Sequence, residues 1–171
     1  MSAQARLIVI SGLPGVGKTT VASAVAARLG AVHLSVDVIE EALLGSGVSA
    51  GWTSGVAAYE AARALAELNL QDRQSVVVDA VNDSEEARDT WRRASRGTSF
   101  VTLIVTDVSE HERRLDGRNR GFVHVTEPTW ADVEQRSAGY APWTDQHLEI
   151  DTSALEPETV VDIVLRYVAS S

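Results

Sequence analysis

Cysteine is absent from this chain of 171 residues, and lysine nearly so: of 15 basic residues one is Lys18 and the other 14 are arginines. Without thiols, disulfides, thiolate metal sites and cysteine nucleophiles are excluded. No apolar run approaches the ~18 residues that a membrane-spanning helix needs. A basic excess is lacking too. The formal net charge is −9, which argues against a general nucleic-acid binder, since such a protein needs a basic face. The opening stretch MSAQARLIVISG has neither the apolar segment nor the cleavage pattern of a signal peptide. The expectation is a cytoplasmic protein with no membrane and no nucleic-acid partner. The length suits one domain, 1–171, able to bury a core without staples.

What is present is an alternation of short apolar runs with longer helical patterns. RLIVIS (6–11), AVHLS (31–35), SVVVDA (75–80), SFVTLIVT (99–106) and HLEIDT (147–152) read as strands. Helices are expected at 18–30, 37–45, 56–71, 84–96, 109–120 with a break near Gly117, 128–140 and 156–170. Gly45 to Gly55 reads as loop. Strands alternating with helices imply an α/β fold, a parallel sheet covered on both faces. No repeat, low-complexity tract or linker interrupts the chain.

The lone lysine stands in VISGLPGVGKTTVA. Gly12-Leu13-Pro14-Gly15-Val16-Gly17-Lys18-Thr19 matches G-x-x-x-x-G-K-[ST] in full, and Thr20 follows. The motif lies between an expected strand and an expected helix, the context it requires. Glycines let the backbone turn and aim its N–H groups inward at phosphate oxygens. Lys18 reaches the β and γ phosphates as a compact point charge, a task that the broad fork of arginine does badly. Thr19 is expected to ligate Mg²⁺. The cofactors expected from the motif are therefore a nucleotide and Mg²⁺.

A GTPase would need a guanine-reading segment such as N-K-x-D, which is absent, and a motor or AAA machine would need more chain. The remaining reading is a small kinase. SGLPGVGKTT, HLSVDVIEEAL, SVVVDAVNDSEEAR and ERRLDGRNR follow in the order and spacing of P-loop small-molecule kinases. The chain resembles the group that includes chloramphenicol phosphotransferase, zeta toxins, gluconate kinase and the kinase domain of polynucleotide kinase. Within AAA-family ATP-binding proteins, that resemblance covers Arg6 to about Arg120 well.

The resemblance implies a three-layer P-loop NTPase fold with strand order 2-3-1-4-5. It implies transfer of the γ-phosphate of ATP to a hydroxyl of a small molecule. Asp37, just after the second strand, would accept the hydroxyl proton and orient the oxygen; a helix N-cap is its plainer role. Asp79 ends an apolar strand in the Walker B layout and would hold Mg²⁺ with Thr19. Arg114 and Arg118, four apart where the chain enters a lid near 117–127, would clamp the β and γ phosphates. Asn82 and Arg88 would face the acceptor. Adenine would lie between the segment after Arg118 and the loop near 151–155.

One departure stands out. Many such kinases carry D-x-x-R at Asp37, whereas this chain has Glu40. An arginine would suit an anionic acceptor; Glu40 suits a neutral polyol or an amine-bearing one, or is an exposed helix residue. Tyr59, Trp130, Tyr140 and Trp143 are candidate walls of an acceptor pocket. His33 reads as a packed core residue, and His111, His124 and His147 show no metal-ligand spacing. A nucleoside or nucleotide kinase is the alternative enzyme. A nucleotide-binding regulator with weak hydrolysis is the alternative of another class. The acceptor and the oligomeric state are left open.

Overall fold

The computed structural model describes residues 5–170, so the two ends of the expected 1–171 domain lie outside the described residues. Five strands form one sheet: β1 (Leu7–Ser11), β2 (Val32–Ser35), β3 (Val76–Asp79), β4 (Thr98–Ile104) and β5 (His147–Asp151). Every pairing is parallel, and the order is β2-β3-β1-β4-β5. That is the expected order. The helices are α1 (Lys18–Leu29), α2 (Val36–Gly45), α3 (Trp52–Gln71), α4 (Glu85–Ala94), α5 (Val108–Asp116), α6 (Trp130–Gly139) and α7 (Pro157–Ser170).

The alternation of side chains along β1 divides the core in two. Ile8 and Ile10 face α1 and α7, packing with Val25, Val161 and Val164. Leu7 and Val9 face the other way, against Trp91 of α4 and the stripe Ala58, Ala62, Ala66 of α3. Those alanines recur every fourth residue and are fully buried, so α3 lies close on the sheet. With both faces covered, the central strands read as continuous apolar runs rather than as alternating ones.

Several boundaries differ from the expectation for local reasons. α3 begins at Trp52, inside the expected loop, because the Ser54 hydroxyl accepts the Gly51 N–H at 3.1 Å and organises the first turn. α2 begins at Val36, with Ser35 rather than Asp37 in the capping position. α5 begins at Val108, where the Asp107 carboxylate accepts the Glu110 N–H at 3.0 Å. α6 begins at Trp130 behind a reciprocal Thr129–Asp132 cap. His33 is not a core residue. β2 is an edge strand, so its faces are half covered, and the imidazole keeps 23% of its side-chain surface exposed.

Candidate functional site

At the carboxyl edge of the sheet, residues 12–17 turn from β1 into α1. Gly12 has φ +142°, and a Cβ there would lie 2.3 Å from the Leu103 carbonyl oxygen. Gly15 and Gly17 also have positive φ, which glycine alone adopts without strain. The turn holds Lys18 across its own mouth: Nζ donates to the Leu13 carbonyl at 2.9 Å, and the residue is only 6% exposed. Burial pushes the amine down to about 8, although Asp37 and Asp79 pull it up. His111 of α5 supports the turn from behind, with Nε2 2.7 Å from the Pro14 carbonyl and its ring edge-on to Trp130.

Sheet register sets the next group. Asp79 pairs with Ile10 on one side and Ser35 on the other, so it faces the start of α1. Thr19 Oγ1 donates to Asp79 Oδ1 at 2.9 Å, Ser35 donates to the same oxygen at 3.3 Å, and His33 Nε2 lies 2.7 Å from Oδ2. A hydroxyl and a carboxylate are hard oxygen donors that fit Mg²⁺, an ion that keeps water and substrate phosphate in its shell rather than needing a protein cage. Among the described residues no cluster of three acidic or imidazole groups forms such a cage. His33 and Ser35 orient the carboxylate, a role not expected of either.

Asp37 stands in the first turn of α2 and forms ion pairs with Arg118 and Arg120. Both arginines also reach Glu127. Burial and the neighbouring Arg120 hold the Arg118 guanidinium below its ordinary range. Arg118 and Arg120 line a cavity of about 460 Å³ with Lys18, Thr19 and Thr20. The expected pair was Arg114 and Arg118. Both line that cavity, and Arg120 joins them there although α5 ends at Asp116. The Arg114 guanidinium is already engaged within the protein, donating to Glu110 at 2.6 Å and to the Thr152 hydroxyl and carbonyl at 2.9 and 2.8 Å. There, with Arg113, Thr20 and Ser153, it borders a groove of about 430 Å³ beside the loop after β5.

On the other side of Asp37 lies the largest cavity described, about 710 Å³, walled by α2, α3 and the start of α4. Glu40 and Tyr59 line it, as does Trp52. Tyr59 is half-buried, its hydroxyl accepts the Asn82 N–H at 3.1 Å, and desolvation raises it far above the usual phenol range. Trp130, Tyr140 and Trp143 do not reach this cavity; Tyr140 and Trp143 border a separate one on the β4–β5 side.

Two expected acceptor residues are corrected. Asn82 is fully buried, with its amide donating to Ser11 and accepting from Trp91 Nε1 at 2.7 Å. Arg88 is 0% exposed, donates to the carbonyls of Asn82, Ala141 and Pro142, and stacks 3.9 Å over Trp143. It ties α4 to the 141–143 segment and has no face left for a ligand.

The segment after α5 is held by a residue with no sequence signature. The Glu41 carboxylate accepts the N–H groups of Val123, His124 and Val125 at 2.7–3.1 Å. Burial alone would raise this carboxyl, but the three donors outweigh it and hold it below the ordinary range. Glu41→Ala is expected to speed amide exchange over 121–126 by roughly tenfold or more, since these are exposed bonds of low local stability. Hydrogen exchange read by mass spectrometry checks this. Unchanged exchange would mean that the arginine pairs with Asp37 alone hold the segment.

Three solved structures illustrate the likeness of the fold. An unliganded sugar kinase from Janibacter sp. HTCC2649 is 16% identical, covers 96% of this chain and 95% of its own, and superposes with a TM-score of 0.74. A gluconokinase from Sinorhizobium meliloti 1021 is 20% identical, with 98% and 93% covered and a TM-score of 0.69. The APS kinase of Mycobacterium tuberculosis, solved with AMPPNP and APS, is 18% identical, with 97% and 98% covered and a TM-score of 0.72. Comparison with curated proteins gives no match. No helix among the described residues is long and apolar enough to cross a membrane. The family described as AAA domain matches residues 7–140, a span that takes in the phosphate-binding turn, Asp37, Asp79 and the arginine segment, and the chain belongs to that family.

Proposed function

We propose that this chain is a single-domain kinase that moves the γ-phosphate of ATP to a hydroxyl of a small polar molecule. The observation that carries the reading is the position of Asp37. Its carboxylate borders the 710 Å³ cavity and also pairs with Arg118 and Arg120, which line the cavity beside Lys18. A hydroxyl in the first cavity is thus brought against a phosphate in the second, with a carboxylate at the junction.

In this reading the 12–17 turn and Lys18 hold the β and γ phosphates. The adenosine end occupies the groove by Thr20, Arg113, Arg114 and Ser153. Thr19 and Asp79 hold Mg²⁺, which supplies charge neutralisation to the phosphate oxygens when bound. Arg118 and Arg120 move from Asp37 onto the transferring group as negative charge spreads over it, and the 117–127 segment serves as the lid that carries them. Asp37, released from the arginines, accepts the hydroxyl proton. The oxygen–γ-phosphorus bond forms, the bond from that phosphorus to the bridging oxygen breaks, and ADP leaves with the bridging electron pair.

The test is ADP release with and without a panel of alcohols, sugars and nucleosides, with product mass recorded. One acceptor gaining a single phosphoryl group supports the reading. ATP hydrolysis that no acceptor alters, with no phosphorylated product, sinks it and favours a nucleotide-binding regulator.

A further inference from the structure

We propose that the acceptor is a hydroxylated cation, a compound bearing one or more protonated amines. This rests on the phosphotransfer reading, and it names the substrate class of the same cavity. The charge of the wall carries it. Five carboxylate residues line the cavity, Asp37, Glu40, Glu60, Asp83 and Glu86, against two arginines, Arg93 and Arg136. Both arginines are already matched: Arg93 pairs with Glu60 at 2.5 Å, and Arg136 with Asp83 at 3.7 Å. Asp37 is matched by the lid arginines. That leaves Glu40 and Glu86 without an ion pair among the described residues.

Glu40 points toward Ser54, whose hydroxyl lies 2.9 Å from its Oε1 and 2.8 Å from the Gly51 carbonyl. Its carboxylate belongs to the α2–α3 wall, one helical turn beyond Asp37. At the end of the same wall Trp52 leaves 83% of its surface exposed. An exposed indole beside unmatched carboxylates is a surface that attracts an ammonium group by charge and by the ring face. An anionic acceptor would meet the opposite: two unmatched carboxylates and no free arginine. A volume of about 710 Å³ is within the range of sites for drug-sized ligands, so an amino sugar or a linked pair of such rings fits.

Charge is separated from shape by a set on one scaffold. Glucosamine, N-acetylglucosamine, glucose and gluconate, with kanamycin as a larger polyamine, are titrated calorimetrically into the protein loaded with a non-hydrolysable ATP analogue. Product mass is recorded in parallel with ATP. The amines are expected to bind at least tenfold more tightly than their neutral counterparts. That preference should shrink as salt rises and fall several-fold in Glu40→Gln/Glu86→Gln. Glutamine keeps an acceptor for Ser54, and Glu86 is exposed, so the double variant is expected to fold. Equal or tighter binding of the neutral or anionic members, absence of binding by every amine, or a preference untouched by the double variant overturns the proposal. Glutamate-dependent amine binding with no phosphorylated product would leave the cavity a site for hydroxylated cations while their role as acceptor falls with the phosphotransfer reading. Phosphorylation of gluconate or glucose without amine binding would do the reverse.

Discussion

Lys18→Met is expected to give a folded protein, more stable than the parent at neutral pH, in which ATP turnover drops by on the order of 10²-fold or more, the scale for one electrostatic contact to a transferring group. Both effects have one origin. The amine is buried, and its pKa falls from 10.5 to about 8, so the charged form is disfavoured in the folded state. At pH 7 the proton is bound in folded and unfolded chains alike, and the burial cost is carried in full. As pH rises from about 8 to about 10.5 the folded state has already released the proton that the unfolded state still holds. Stability through this group therefore increases across that window, by about 3 kcal/mol. Methionine keeps the length and loses the rise. Chemical denaturation at pH 7 and pH 10 in parent and variant measures the difference directly, and equal slopes would refute it. In the parent, nucleotide affinity should decline as pH passes about 8, because phosphate needs the protonated amine. Lys18→Arg should not rescue turnover, since Nζ spans the turn to Leu13 and a planar guanidinium does not fit the same space. Unchanged turnover in both variants would remove Lys18 from the phosphate site.

The parts of this site that were legible in the sequence are those whose function lies in contiguous residues. The glycine turn, Lys18 and Thr19 sit on one strand–helix junction, and their spacing alone predicts the geometry found. Asp79 was legible because an apolar run closing on a carboxylate places that carboxylate at the sheet edge. Strand order was not contained in periodicity; it followed from resemblance, and with it came the fact that β2 is an edge strand. That is why His33, read as core, lies instead half covered against Asp79. Asn82 and Arg88 were expected at the acceptor because in the resembling kinases this loop and helix start face it. Their partners, Ser11, Trp91, Ala141 and Pro142, come from other elements, and only the folded chain shows that every polar group is used. Arg120 stands in ERRLDGRNR with Arg114 and Arg118 and lines the same cavity, but helical spacing could not single it out, because the helix stops at Asp116. Glu41 had no signal at all: its donors are backbone N–H groups, which any residue supplies.

The substitution that separates catalyst from binder is Asp37→Asn. Ser35, not Asp37, occupies the N-cap of α2, so the change does not remove a cap. It removes one charge from the first turn, worth about 0.5 kcal/mol against the helix dipole, and Glu127 still holds Arg118 and Arg120. The fold and nucleotide affinity are therefore expected to stay close to those of the parent. Transfer to a verified acceptor should fall by on the order of 10²-fold or more, the scale for a positioned general base. Asp79→Asn should fail differently. Its carboxylate accepts from Thr19 and Ser35 and faces His33, so an amide leaves a hard-oxygen pair one charge short and turns a donor toward one of these groups. The part of nucleotide affinity that depends on Mg²⁺ should shrink, while affinity measured in chelator stays the same. Calorimetry with and without Mg²⁺, beside acceptor-dependent product formation, places each variant on its own axis. If Asp37→Asn transferred phosphate at the parent rate, the carboxylate would only be a dock for Arg118 and Arg120, and the proton would have to leave the acceptor through another group. If instead Asp37→Asn lost nucleotide affinity and Asp79→Asn did not, the two carboxylates would have exchanged roles, with the metal held on the α2 side of the cleft.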